Sequence, residues 1–431
     1  METVKVGLVG FGTIGTGVAK LLINDADRIT EAVGRRVELT RVCDLDTTRD
    51  RDIALPEGVL TDDLSQITDD PEITTVIQLI GGTEPARTIM LQLLESGKDV
   101  ITANKALLAY HGPELFNRAR ELGRTIAFEA AVAGGIPIIS TLSGPLQANR
   151  CQSMQAILNG TSNFILSQME EKGVSYDAAV AEAQRLGYAE ADPTMDVDGS
   201  DAAQKLAILA HLAFGAEVDW TDIPRVGIDA VHVDDLRYAN ELGYSIKLMA
   251  IADLTDEGLE LHVSPTFVTQ RSPMSKVRNA FNAVRVIGHA VGRTFFHGLG
   301  AGQMPTASAV VGDLIDTLLG RTAITFNALK LWSPERKGPP LRDPKQIKSK
   351  YYFRFMVDNR PGVLAEIAGV FAKHGISIAS LIQHEADADH EPVPLVIMTH
   401  AAPEGSVQDS ADKLDELECV RAKLIRMRVH D

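Results

Sequence analysis

Cysteine is scarce in this sequence, positive charge is in deficit, and no long apolar run is free of breakers. Three cysteines occur in 431 residues, Cys43, Cys151 and Cys419, each more than a hundred positions from the next. That leaves no CxxC pair, no zinc spacing and no disulfide framework, and it fits a reducing compartment. Lys plus Arg number 42 against 58 Asp plus Glu, a formal charge of −16. A chain so acidic repels nucleic acid and anionic membrane, so neither is expected as a partner. The longest uncharged stretch, residues 130–149, contains Gly134, Gly135, Pro137, Gly144 and Pro145. It reads as loops and short elements, not a spanning helix. The first ten residues, METVKVGLVG, run straight into a strand pattern and leave no room for a signal peptide. The expectation is a cytoplasmic globular protein without internal repeats or low-complexity tracts.

What is present falls into blocks. Residues 1–133 alternate short apolar strands (VKVGLVG, VELTRVCDL, TTVIQLIG, DVITAN, TIAFEAAVAG) with helical patterns. That rhythm predicts a Rossmann-type parallel sheet covered on both faces. Residues 134–302 mix longer helices with strands, an α+β pattern, and 303–330 are expected to complete the first block. Residues 331–349 carry Pro334, Pro339, Pro340 and Pro344 and read as a basic linker. Residues 350–431 follow the order βαββαβ, the ferredoxin-like split-βαβ layout. Val363, Leu364, Ile367, Ala368 and Phe371 there fall on one helical face.

The first chemical motif is Gly10-Phe11-Gly12-Thr13-Ile14-Gly15. It follows the first strand and opens a helix. Gly10 permits the tight turn, Gly12 the close approach of a pyrophosphate, and Gly15 the packing of helix on strand. The second strand ends at Asp44, which can accept both ribose hydroxyls and repels a 2′-phosphate. That favours NAD, while Arg35, Arg36, Arg41, Arg49 and Arg51 keep NADP open. Lys105 follows the DVI strand, at the carboxyl end where ligands bind in open α/β sheets; on position alone it is equally a surface lysine.

The densest constellation spans residues 187–201, GYAEADPTMDVDGSD, followed by the helical AAQKLAILAHLAFG. Asp201 and Lys205 stand four apart, on one helical face. Acids converging near a lysine suit a zwitterionic amino acid, and a buried lysine can take a hydroxyl proton during hydride transfer. An exposed ion pair or a metal loop would use the same letters.

Six ordered segments over residues 1 to about 330 resemble bacterial homoserine dehydrogenase: GFGTIG, ITANKALLA, FEAAVAGGIP, ILNGTSNFIL, GYAEADPTMDVDGSDAAQKL and GAGQMPTASAVVGDL. The resemblance implies reversible, NAD(P)-dependent interconversion of L-aspartate 4-semialdehyde and L-homoserine, within threonine, methionine and isoleucine biosynthesis. It implies Lys205 as general acid/base, and Glu190, Asp196 and Asp201 as acids that hold substrate or orient the lysine. Lys105 matches the lysine beside nicotinamide and substrate, Gly160 and Thr161 main-chain contacts to substrate, and Gly302 a cofactor contact. Glu129, Val132, Gly134 and Ile136 match a monovalent-cation site, usually sodium, built mostly from carbonyls. Where many relatives carry Arg or Lys before the acid at 44, this chain has Cys43, which weakens the NADP reading.

The tail resembles an ACT domain through Asp358-Asn359-Arg360-Pro361-Gly362-Val363-Leu364 and Gly375-Ile376-Ser377-Ile378. In this family such a domain implies a threonine effector bound near Asp358, Asn359, Gly362, Val363 and Leu364, or else a dimerisation module without ligand. A homodimer or homotetramer is implied. The run His384 to Glu391 reads as a solvated hairpin loop. The alternative to an enzyme is an amino-acid-sensing ACT protein whose Rossmann block does not turn over.

Overall fold

The computed structural model describes residues 2–384 and 392–430. Residues 385–391, most of the expected hairpin loop, lie outside them.

Along the chain run β1 (Thr3–Val9), α1 (Thr13–Asn24), α2 (Ala26–Val33), β2 (Arg36–Cys43), β3 (Leu60–Thr61), α3 (Ser65–Thr68), β4 (Ile73–Gln78), α4 (Glu84–Glu95), β5 (Asp99–Thr102), α5 (Lys105–Glu121), β6 (Ile126–Ala127) and α6 (Ile138–Ser143). Next come β7 (Cys151–Ile157), α7 (Gly160–Lys172), α8 (Tyr176–Arg185), α9 (Thr194–Val197), α10 (Ser200–Phe214), α11 (Val233–Glu241), β8 (Tyr244–Thr255), β9 (Gly258–Thr269), β10 (Phe281–Gly288), β11 (Gly292–Leu299), α12 (Gln303–Leu318) and α13 (Arg321–Leu329). The tail holds β12 (Lys348–Val357), α14 (Val363–Lys373), β13 (Ile378–Ile382), β14 (Val393–Thr399), β15 (Ala402–Pro403), α15 (Glu404–Asp415) and β16 (Ile425–His430). No helix among the described residues is long and apolar enough to cross a membrane.

The chain divides into two compact units. The first is Met1–Met154, Gln204–Asp222 and Asn282–Pro339; the second is Gln155–Ala203, Ile223–Phe281 and Pro340–Asp431.

In the first unit six parallel strands lie in the order β3-β2-β1-β4-β5-β6. The order reverses between β1 and β4, which opens the crevice where such sheets bind ligands. Val6, Leu8, Val18, Ile77 and Ile101 form the core together with Ala307, Val310, Val311 and Leu314 of α12. Gly17 lets α12 approach α1, since a Cβ there would stand 2.8 Å from Gln303.

The stretch read as a linker is irregular, as its prolines predict, but not loose. Residues 331–339 pack within the first unit, and the chain from Pro340 belongs to the second. Trp332 stacks on His211 with ring centres 4.5 Å apart, and its backbone N–H donates to His211 Nε2 at 2.7 Å. Arg336 donates to the carbonyls of Leu212 and Leu329.

In the second unit β8 and β9 form a long antiparallel pair, and β16 joins β9 in parallel. Beyond β16 the sheet continues as β12, β14 and β13, all antiparallel. The tail thus has the expected βαββαβ order, with a two-residue strand, β15, added beside β12. Phe353, Phe355, Ile367, Phe371, Val407 and Leu414 fill its core. Leu364, placed by periodicity on the buried face of α14, is 44% exposed, because that face is carried by Val363, Ile367 and Phe371.

A buried polar knot ties this tail to α11. The Asp235 carboxylate, fully buried, accepts from Tyr352 Oη at 2.8 Å, Arg354 Nε at 2.6 Å and Nη2 at 3.1 Å, and the His232 N–H at 2.9 Å.

Candidate active site

The first unit builds a dinucleotide cradle from β1 and the opening of α1. Gly10 adopts φ +97°, and a Cβ there would stand 2.9 Å from the Leu79 carbonyl carbon on the neighbouring strand's exit. A Cβ on Gly15 would stand 2.2 Å from Gly10 O, so the helix meets the turn at a distance only glycine permits. Gly12, Thr13 and Ile14 lie between them and start α1, whose free N–H groups face the turn's exit. Gly302, at φ +122°, precedes α12, and Gln303 Nε2 donates to the Thr13 carbonyl at 3.0 Å. The late glycine therefore stands beside the same helix start.

Asp44 follows β2 and is already organised. Its carboxylate accepts the Phe11 N–H at 2.5 Å and the Asp46 N–H at 2.9 Å, and Arg51 Nη2 stands 3.3 Å away. Arg51 lies over the Phe11 ring at 4.7 Å and donates to the carbonyls of Phe11, Asp46 and Arg49. Among the arginines that kept NADP open, Arg51 is turned into this corner. Cys43 is buried, and burial followed by the charge of Asp44 pushes its thiol up, which disfavours the thiolate.

Lys105 is half-buried and begins α5, directly after β5. The preceding Asn104 caps that helix by accepting the Leu107 N–H, and its amide donates to the carbonyls of Ile80 and Gly82. One side chain thus holds the ends of two adjacent strands at the lysine.

Asn159 organises the second unit. It caps α7 by accepting the Ser162 N–H at 2.7 Å, while its amide donates to Asp196 Oδ1 and Asp201 Oδ2, each at 2.8 Å. Gly160 and Thr161 form the first turn of that helix, and Thr161 Oγ1 donates to the Tyr188 carbonyl at 2.7 Å. A Cβ on Gly160 would stand 2.8 Å from Ala280 O. Asp196 and Asp201 are thereby brought together, whereas Glu190 is exposed on its loop. Asp198 accepts from the Ser200 N–H and hydroxyl, which holds the chain at the entry to α10. Helix α10 carries the buried Asp201 in its first turn and the half-buried Lys205 one turn later.

Sequence reasoning passed over Asn159. Its signal was available: an Asn that closes a strand just before a helical run is an N-cap pattern.

Residues 129–136, expected to hold a cation, lead from β6 toward α6. Glu129 is buried, and its carboxylate accepts the N–H groups of Ile139 and Ser140 at 2.8 and 2.7 Å, at the start of α6. The Glu129 N–H donates to Asp313 Oδ2 at 2.8 Å. Burial pushes both carboxyls above their usual range, well above for Asp313, to which the Glu129 charge adds. Val132 and Ile136 are buried, Ala133 turns at φ +52°, and Gly134 packs against Thr306. No group of three or more His, Cys, Asp or Glu side chains among the described residues is arranged to hold a metal.

In the tail, Gly362 adopts φ +96° and opens α14, with Asn359 and Leu364 exposed beside it and Val363 buried beneath. Asp358 is paired by Arg421, whose bonds hold that carboxyl below its usual range.

Three family models match: "Homoserine dehydrogenase, NAD binding domain" over residues 10–129, "Homoserine dehydrogenase" over 137–315 and "ACT domain" over 351–419. A homoserine dehydrogenase of Pseudomonas aeruginosa is 41% identical over 440 residues, covering 100% of this chain and 99% of its own. The chain belongs to the homoserine dehydrogenase family. The Bacillus subtilis homoserine dehydrogenase is 40% identical, covering 98% of this chain and 97% of its own. The crystal structure of a homoserine dehydrogenase from Thiobacillus denitrificans superposes with a TM-score of 0.92 at 43% identity, covering 100% of this chain and 99% of that one. As a homoserine dehydrogenase, the chain is an NAD(P)-dependent oxidoreductase that interconverts L-aspartate 4-semialdehyde and L-homoserine. The non-catalytic sensor gives way to this reading.

Proposed function

We propose that Lys205 is the general acid/base of this homoserine dehydrogenase, taking the hydroxyl proton of homoserine and returning it in the reverse reaction. The observation that carries the reading is Asn159, which gathers Asp196 and Asp201 at the start of the helix bearing Lys205. Two carboxylates fixed there suit the α-ammonium of an amino acid, with Glu190 free on its loop to join them. Gly160 and Thr161 would meet the substrate through the first turn of α7, and Lys105 would serve substrate and nicotinamide at the end of β5. When bound, the nicotinamide supplies the hydride acceptor. Oxidation releases a proton as well, and moving it is the lysine's task.

The same reading extends to NAD as the preferred cofactor, since Asp44 presents a carboxylate where a 2′-phosphate would stand and Cys43 offers no charge to offset it. Residues Gly10 to Gly15 and Gly302 would hold the dinucleotide. A sodium ion would sit among the carbonyls of Val132, Gly134 and Ile136 beside Glu129. An all-oxygen donor set suits a hard cation, and its charge would favour the ionised form of an acid that burial otherwise disfavours. Threonine would act at the Asp358–Leu364 turn. A cytoplasmic homodimer or homotetramer fits β11, an outermost strand with no buried residue whose Phe295 and Leu299 are 37% and 41% exposed.

Initial rates with homoserine and either NAD or NADP, with and without threonine, test the set. Lys205→Ala should bind cofactor normally and lose turnover by about two to four orders of magnitude. An unchanged kcat would refute the role, and rates indifferent to threonine would refute feedback.

A further inference from the structure

Lys247 lies on β8 with its side chain fully buried, outside the set of residues read as catalytic. Its ammonium donates to the Val277 carbonyl at 2.6 Å and to Asn163 Oδ1 at 3.2 Å. Neither partner is charged. A lysine is an expensive way to fill a core position, since Leu or Met would pack there without desolvating a cation. Burial lowers its pKa to about 8, with Glu170 pulling the other way. The cost makes geometric sense only if those two hydrogen bonds hold something in place.

What they hold is the loop that backs α7. Asn163 turns its amide toward the carbonyls of Val277, Asn279 and Phe281, at 3.3, 2.9 and 3.1 Å. One turn further along α7, Ser167 Oγ accepts the Asn279 N–H at 3.0 Å and donates to the Asn163 carbonyl at 2.7 Å. Asn279 itself sits at φ +53°, a strained conformation that these bonds stabilise. Clamped this way, the loop presses Ala280 O against Gly160, where even a Cβ would come within 2.8 Å.

We propose that Lys247 is a positioning residue of the substrate seat: by holding Val277 and Asn163 it fixes the 277–281 loop beneath Gly160, and so the first turn of α7 that presents Gly160 and Thr161. The inference rests on the reading of Gly160 and Thr161 as substrate contacts. A seat set by this clamp should loosen for homoserine specifically, because the dinucleotide cradle is built from other residues.

The test is steady-state kinetics of the full chain carrying Lys247→Met, beside Gly160→Ala as a check on the seat. Lys247→Met should raise KM for homoserine about tenfold or more, with KM for the dinucleotide unchanged within about twofold. Lost folding would instead lower the active fraction and leave both KM values alone. If Lys247→Met does not yield folded protein, Ser167→Ala removes the acceptor of Asn279 at the far side of the same loop. It should raise KM for homoserine in the same selective way, and an unchanged KM there overturns the proposal. A Gly160→Ala defect with wild-type kinetics in Lys247→Met overturns the positioning role alone. Wild-type homoserine kinetics in Gly160→Ala overturn the seat reading and the inference with it.

Discussion

Replacing Asp235 with alanine should detach the tail from α11 at a cost readable from the buried knot. The carboxylate takes four donors: two from Arg354, one from Tyr352 and the His232 N–H. Asp235 is fully buried and the Arg354 side chain is 11% exposed, so water cannot replace what is lost. Burial lowers the Arg354 guanidinium's affinity for its proton, yet the bond to Asp235 raises it above its ordinary value. Stranding such a charge costs about 3–5 kcal/mol, a large part of the roughly 5–15 kcal/mol that holds a typical domain. At about 1.4 kcal/mol per tenfold, amide hydrogen exchange along β12 should speed up by about two to almost four orders of magnitude if the tail opens locally. Urea unfolding followed by tyrosine fluorescence should show the same loss. Asp235→Leu combined with Arg354→Met removes both charges, so its cost should fall well short of the sum of the two single changes. A cost below about 1 kcal/mol for Asp235→Ala, or strict additivity in the pair, would refute the account.

Gly15→Ala must displace the helix from the turn, because its Cβ would stand 2.2 Å from Gly10 O; titration with NADH fluorescence should show affinity lowered by about tenfold or more, and unaltered binding would count against the cradle. Asp44→Asn keeps the shape but removes the charge, a change worth about 1–4 kcal/mol toward a 2′-phosphate a few ångströms away. The NADP-to-NAD ratio of kcat/KM should therefore rise about tenfold or more, and an unchanged ratio would free the carboxylate of any role in preference. His211 offers a pH test: burial pushes its pKa down to about 4 from 6.5, with Arg336 and Arg120 adding to this against the Ala216 carbonyl. The unfolded chain then binds the extra proton first, so stability should fall by about 3 kcal/mol as pH drops from 6.5 to 4. Urea midpoints should follow that slope in the wild type and lose most of it in His211→Gln.

The parallel sheet, the glycine turn and the βαββαβ tail were legible because each is a local pattern. Alternating strands and helices, a turn with three glycines and a buried helical face all show within about twenty residues. Asp201 and Lys205 were legible for the same reason, four apart on one helix. What escaped is long-range. Asn159 looked like one letter of a motif, and only the fold reveals that its amide reaches Asp196 and Asp201. Lys247 sits in the strand sequence SIKLMAIA like any outward-facing lysine, yet it is fully buried, with its ammonium held by Asn163 and the Val277 carbonyl. Asp235 and Arg354 are 119 positions apart, and neither neighbourhood signals the other. The 331–349 stretch shows the limit of such local signals: proline density reports the absence of regular backbone, and says nothing about whether side chains such as Trp332 and Arg336 are packed.

The parallel pairing of β16 with β9 has a consequence for how this protein is made. Arg428 stands opposite Thr266, 162 positions earlier, and β16 lies between β9 and β12. On the ribosome, β8, β9, β12, β13 and β14 therefore emerge before the strand that joins them into one sheet. Until residues 425–430 arrive, β9 and β12 each keep an open edge. Contacts of such sequence separation form slowly, and open edges invite pairing with other chains. A nascent chain paused in this interval offers two adhesive strands, and the few residues of β16 close both at once.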